Sequence, residues 1–394
     1  MNYDLIFAII FYGLIYIYYL KHKDKFEVQG KIFALYKTKL GLKLMDKLSK
    51  TSPRFLRFLG NLGILVGFLG MFLIFYILIK GTYNLVKGWL LHQAVVPTVA
   101  PVLPGISIAP GLPILSFWHW ILAILIVAVI HEFSHGLLSR LHNVKIKSSG
   151  FAFLGPILAA FVEPDEKMLK KKNKKHQLSI FAAGPFSNII FAFLILLITQ
   201  FIFYPINSSL TENTGLLVST VELDMPANLS GIQPGTLIKS INNKETLTLD
   251  SFLNEIYKTK EGSSITINTD KGNYRLVPVF IEGKPKLGVS LTESKDYKEV
   301  VPKYLQSTLS WIFELLFWLW IISLGIGLFN LLPLGPVDGG RMFLTSLLIF
   351  TNKKKAHKIW KIISIFCLTL IVINLIPYII KLFSWIFNSI LSLV

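Results

Sequence analysis

The sequence predicts a polytopic α-helical membrane protein of about six spans, with re-entrant segments and one small β-rich domain inserted. Three observations predict this class. First, hydrophobic residues make up 53% of the 394 positions and charged residues only 16%, against about 25% charged in soluble domains. Second, six apolar segments, 3–20, 58–79, 117–138, 178–204, 309–332 and 362–380, approach the ~20 residues that cross ~30 Å of hydrocarbon. Third, the block 207–300 between the fourth and fifth segments is polar and alternates like strands.

The chain divides accordingly. Residues 1–99 carry the first two spans and a basic loop. Residues 100–206 carry the third span, a short apolar stretch and the fourth span. The inserted domain is 207–300, and 301–351 and 352–394 hold the last two spans. Met1-Asn2-Tyr3-Asp4 has no basic n-region, so the first apolar segment reads as a retained span. The single cysteine, Cys367, forbids an intrachain disulfide.

A net charge of +18 invites a nucleic-acid reading, but the lysines cluster at 21–50, 167–175 and 353–358, each beside an apolar segment. That is the positive-inside pattern with anionic-lipid contact, so the partner is the bilayer and not nucleic acid. With these clusters in the cytoplasm, the N-terminus, the Pro-rich stretch 96–113 and the polar block lie outside. Segments 150–162 and 342–350 are apolar but too short to span, and read as re-entrant or buried.

Within the inserted block, strand patterns run over 216–221, 237–241, 264–269, 274–279 and 286–291. Asn242-Asn243, Asp270-Lys271-Gly272 and Glu282-Gly283-Lys284 mark turns between several of them. Residues 249–257 read as an amphipathic helix.

The chemistry concentrates at His131-Glu132-Phe133-Ser134-His135, which closes the apolar run 120–130. On a helix, residues four apart share a face, so His131 and His135 can grip one zinc ion beside Glu132. Ionisable groups inside a span are costly unless they bind something. A catalytic zinc site needs a third protein ligand. Asp338 fits, within Asn330-Leu331-Leu332-Pro333-Leu334-Gly335-Pro336-Val337-Asp338-Gly339-Gly340, where prolines and glycines break the helix. His131 lies 14 residues past Phe117, about 21 Å in at 1.5 Å per residue, so both motifs reach the cytoplasmic side. Glu132 is the general base. Asn330 reads either as an oxyanion or substrate-positioning group or as a helix C-cap. Glu163 and Asp165 neighbour the site or end a re-entrant loop, and Glu314 faces a cavity or the headgroups.

The pairing of HExxH with Asn-x-x-Pro-x-x-Pro-x-Asp-Gly resembles the site-2 protease family of intramembrane zinc metalloproteases. Ala183-Gly184-Pro185 with Asn188, Pro104-Gly105-Ile106 and Ala160-Phe161-Val162-Glu163 point the same way. The block 215–291 is similar to a PDZ domain, with Gly215-Leu216-Leu217-Val218 at the substrate-binding loop position and Gly231-Ile232-Gln233-Pro234-Gly235 in its usual turn. Val337 and Asn243 depart from the family's Leu and the PDZ Gly without touching a ligand. The resemblance implies Zn2+ held by His131, His135 and Asp338, with Glu132 and Asn330 catalytic. It also implies cleavage of single-span transmembrane proteins after a first cut by an upstream site-1-type protease. The competing reading from another class is a catalytically silent scaffold that binds peptides through its PDZ-like domain.

Overall fold

Among the described residues, six helices are long and apolar enough to cross a membrane, judged by length and composition. The computed structural model describes residues 3–29, 33–93, 95–106, 112–154 and 157–391. Five of the six segments picked out by hydropathy fall within helices, and the fifth in chain order, 309–332, overruns its helix, which ends at Phe329.

In chain order, α1 (Tyr3–Lys21) is followed by β1 (Phe26–Gln29), β2 (Phe33–Thr38), α2 (Leu42–Thr51) and α3 (Pro53–Leu90). Pro53 suits the first turn of α3, where its missing N–H has no partner to lose. At 38 residues, α3 is about 57 Å long and must project beyond the hydrocarbon. Gly60, Gly63, Gly67 and Gly70 form one small-residue face on it. A methyl at Gly67 would meet Met342 Cε at 2.7 Å, and one at Gly60 would strike Ser179. Small residues let helices approach closely where no hydrophobic effect drives them together.

Next come α4 (Phe117–Leu141), β3 (Ile146–Leu154), β4 (Ile157–Pro164), α5 (Glu166–Lys171) and α6 (Lys174–Ile198). Ser116 caps α4 and Asp165 caps α5, each accepting a backbone N–H three residues on. The short stretch 150–162 is strand rather than irregular loop. It supplies most of an antiparallel hairpin whose tip, residues 155 and 156, lies outside the described residues. The hairpin joins β1 and β2 in a four-stranded sheet ordered β1-β2-β3-β4. Pairing with β2 and β4 satisfies the backbone groups of β3 on both edges.

A π-turn then leads to α7 (Tyr204–Leu210), β5 (Thr211–Val221), α8 (Pro226–Leu229), β6 (Leu237–Ile241), β7 (Lys244–Glu245) and α9 (Leu249–Ile256). They continue with β8 (Ile265–Thr269), β9 (Gly272–Leu276), β10 (Val279–Ile281), β11 (Lys284–Lys286) and β12 (Val289–Tyr297). The chain ends in α10 (Lys303–Phe329), α11 (Asp338–Phe350) and α12 (Lys353–Leu391). The apolar stretch 342–350 is the body of α11, a short helix.

These elements form two units, Met1–Ile198 with Phe313–Val394, and Thr199–Ile312. In the first, α4 packs on α6, β4 and α2, and α6 packs on α3 and α11. Leu138, Ile180, Phe181, Leu331 and Met342 share one buried cluster there. In the second, the sheet runs β12-β5-β6-β8-β9, with β7 added on β6. Leu216, Val218, Ile238, Ile241, Ile265 and Ile267 fill its core against Phe252 and Ile256 of α9. The predicted strands 216–221, 237–241 and 264–269 and the helix 249–257 are present, whereas 274–279 breaks after Leu276 and 286–291 breaks at residues 287 and 288, where Gly288 takes φ +77°. β12 runs on to Tyr297, beyond the predicted end at 291.

Candidate metal centre

Helical spacing on α4 sets His131 and His135 one turn apart, with their Nε2 atoms 3.2 Å from each other. Asp338, the first residue of α11, brings its Oδ2 to 3.1 Å from both. In a tetrahedron with zinc–ligand bonds of about 2.0–2.1 Å, neighbouring ligands are about 3.3 Å apart. The three atoms thus form one face of a zinc-sized tetrahedron and leave the fourth corner for water or substrate. Among the described residues this is the one group of three or more such side chains close enough to share an ion.

The surroundings fit a metal. His135 Nδ1–H donates to the Ile180 carbonyl of α6 at 2.7 Å, which leaves its Nε2 lone pair for an ion. His131 Nδ1 lies 3.1 Å from the side-chain amide of Asn188, whose Oδ1 is buried without a partner. Half a turn of that amide hands Nδ1–H an acceptor and gives the orphaned oxygen its bond. Both histidines then present Nε2 to the same point. Gly184 clears the remaining wall, because a methyl there would strike both Nε2 atoms.

The broken segment after α10 delivers Asp338. Gly339 N–H donates to the Asn330 carbonyl at 2.6 Å, folding the loop back on its start. A side chain at Gly339 or Gly340 would collide with the carbonyls of Leu331 or Leu334. Glu132 stands between α4 and the sheet, where its Oε2 accepts the Val162 N–H of β4 at 2.9 Å. Asn330 donates its amide to the Ile326 carbonyl at 3.0 Å. No hydrogen bond joins Asn330 to His131, Glu132, His135 or Asp338 among the described residues, so its visible role is at the end of α10.

The other acidic residues have structural partners. Glu163 accepts from Ser148 at 2.8 Å and faces Lys37 and Lys147. Asp165 caps α5, and the Met168 N–H it accepts holds its carboxyl below the usual range. Glu314 lies 3.6 Å from the buried His119, which also contacts Ser116. Reading the sequence for chemistry missed Asn188 as a positioning group. Its signal was a polar residue in the apolar α6, and it is fully buried.

The inserted unit places its groove elsewhere than the sequence suggested. β5 is paired along both edges, by β12 and β6. Leu216 and Val218 lie in the core, and Leu217 points out from a strand with no free edge. Gly215, at φ +150°, allows β5 to approach Ile238, whose carbonyl a side chain would strike. The groove, of about 440 Å3, opens between α9 and the edge strand β12. Leu249, Phe252, Leu253 and Ile256 line one wall and Val289 and Leu291 the other, with Gly288 at φ +77° at one end.

The model of peptidase family M50 matches residues 119–374. An uncharacterized protein of Methanocaldococcus jannaschii is 30% identical over 345 residues, 85% of this chain and 82% of that one. A candidate zinc metalloprotease of Nostoc sp. is 27% identical over 43% of this chain and 54% of its own length. A second one, from Clostridium acetobutylicum, is 22% identical over 61% of this chain and 90% of its own length. A solved PDZ domain from Listeria monocytogenes aligns with 20% of this chain and 90% of its own, at 27% identity and a TM-score of 0.18.

Proposed function

This chain is a membrane metalloprotease that belongs to peptidase family M50, and from that premise we propose that it cuts transmembrane segments of other membrane proteins. One observation carries the reading: His131 and His135, on an apolar helix long enough to span a bilayer, meet Asp338 of α11 at zinc-ligand spacing, with Glu132 beside them. Its cofactor is zinc, in keeping with the relatives named as zinc metalloproteases.

When bound, the ion would make water acidic enough to ionise near neutral pH and would polarise the scissile carbonyl. Glu132 takes the proton of the attacking water and returns it to the leaving amine. Ile180 and Asn188 keep both imidazoles facing the ion throughout. Asn330 uses one amide N–H on Ile326, and its second is the donor we assign to the substrate carbonyl.

The substrate class is a single-span membrane protein, taken as the second cut after an upstream protease has trimmed it. The lysine clusters put the metal centre toward the cytoplasm and the inserted domain outside. The PDZ-like groove beside β12 serves substrate selection, by capture of a trimmed C-terminus or by exclusion of large outer domains.

The test uses purified enzyme in liposomes with a single-span substrate. Glu132→Gln is expected to keep zinc and lose cleavage by a factor of about 10²–10⁴, the usual span for a general base. Undiminished cleavage by that variant would remove Glu132 from the mechanism. Cleavage by a protein stripped of zinc would overturn the reading as a whole.

A further inference from the structure

Where α4 ends and α6 begins, near the start of α3, a second cavity of about 510 Å3 opens in the spanning unit. Its lining carries three fixed cations, Arg57, Lys171 and Lys172, two imidazoles, His142 and His176, and no carboxylate. The two rings stack with centroids 4.0 Å apart and planes 21° from parallel. Among the described residues none of the three cations has an ion-pair partner. The nearby acids are engaged elsewhere: Asp46 with Arg140 at 3.0 Å, and Glu166 with Arg341 at 3.3 Å.

The walls are fixed by buried hydrogen bonds. Gln177, only 6% exposed, donates to the Lys172 and Lys170 carbonyls at 2.7 and 3.3 Å. That locks the lysine-bearing loop. Asn173 accepts the His176 N–H at 2.8 Å and so caps α6 at the cavity. His142 Nε2 lies 3.4 Å from Ser179 Oγ on α6. Concentrated positive charge without an internal counter-charge, beside a helix start, is what a multiply charged anion binds.

We propose that this cavity binds a phosphate group, carried by a soluble anion or by an anionic lipid headgroup at the membrane edge. Arg57 and Lys172 supply charge, the α6 start and Asn143 supply N–H donors, and His142 adds a proton-dependent donor. The ligand would tie the end of α4 to the start of α6. Those two helices also hold His131 and His135, through Asn188 and the Ile180 carbonyl. The proposal stands independently of the peptidase reading.

The sign of its pH dependence follows from His142. Burial first, then His176, Arg57 and Lys172, lowers its pKa to about 4. Without ligand the ring is therefore neutral at physiological pH. A bound anion favours the protonated ring and raises that pKa, so affinity for a phosphodiester, whose own charge is constant over this range, rises as pH falls.

The test uses the full-length protein in a neutral maltoside detergent, with circular dichroism as the check on folding. Binding of inorganic phosphate is measured by calorimetry, and of short-chain phosphatidylglycerol against phosphatidylcholine by native mass spectrometry. At least one anionic probe is expected to bind. Arg57→Ala with Lys172→Ala should weaken it about 100-fold, roughly tenfold per charged contact. Lys353→Ala with Lys354→Ala removes the same charge elsewhere and should leave affinity unchanged. Phosphate binding identifies a soluble ligand, and selective phosphatidylglycerol binding identifies a lipid. Should the double variant misfold, His142→Gln decides, since it must lessen the rise of affinity at low pH relative to the unsubstituted protein, with His176 still in place. Failure of both probes, equal effects of the two double variants, or an unchanged profile in His142→Gln would overturn the proposal.

Discussion

The metal centre and the groove of the inserted unit are both candidate working sites, and they are specified in opposite ways. The centre is built from two short motifs whose side chains converge because helix geometry and a loop of prolines and glycines leave them no other place. The groove has no motif of its own. It exists because β12, near the end of the unit, pairs outside β5, at its beginning. Chemistry can be encoded locally, whereas a docking surface is decided by which strand ends up at the edge. Perturbations should therefore be steep and residue-specific at the centre, and graded at the groove.

The largest effect is expected from Asp338→Ala. It removes one of the three proposed ligands and leaves two histidines without their carboxylate partner. Zinc affinity should fall by more than about 100-fold, the upper end for loss of a mere orienting partner. Cleavage should be abolished, with zinc measured by plasma mass spectrometry after dialysis. A normal zinc content would strike Asp338 from the ligand set and remove the contrast between the two sites.

Gly184→Ala comes next. The added methyl would sit against both Nε2 atoms, so the histidines must turn away from their shared point. Zinc content should drop while the helices stay formed, as circular dichroism would show. Retention of full zinc and activity would mean that α6 can retreat from α4, and that the centre is less tightly built than its packing implies.

Asn188→Ala sharpens the same side of the comparison at lower cost. It leaves the ligands in place but frees the His131 ring, and should weaken zinc binding about 10–100-fold. Asn188→Asp restores an acceptor and should recover part of that loss. If Asn188→Ala binds zinc normally, some other group fixes His131.

These residues also show how far a sequence can be read. The convergence of His131, His135 and Asp338 was legible because each sits in a motif whose residue types suit one job. The spans were legible because lipid demands uninterrupted apolar runs. The hairpin of β3 and β4 was not legible, since its apolar composition suits a re-entrant segment equally well. What distinguishes it is pairing with β2, more than a hundred positions earlier in the chain. The placement of Gly215, Leu216, Leu217 and Val218 failed for the same reason. Their pattern marks a strand, but a pattern of period two does not reveal whether that strand has a free edge.

The smallest expected effect tests the groove. Leu253 is 40% exposed on α9 and lines the groove, while Leu217 is 38% exposed on β5 and does not. Both face outward, so an aspartate at either should leave the core of the unit intact. In the groove, Leu253→Asp removes an apolar contact and adds a carboxylate to the wall. Burying a leucine is worth about 1.5–3 kcal/mol, so affinity for a C-terminal peptide should fall roughly tenfold to a hundredfold. Leu217→Asp should change it by less than about twofold, as surface substitutions usually do. Fluorescence anisotropy with a labelled hydrophobic C-terminal peptide reads both variants in the full-length protein. Cleavage of trimmed and untrimmed substrates then separates the two uses of the groove. Capture predicts that Leu253→Asp slows the trimmed substrate. Exclusion by bulk predicts that neither variant alters the ratio, because an aspartate does not change the size of the domain. A loss confined to Leu217→Asp would return the binding strand to β5 and contradict the edge position of β12 as the source of the groove.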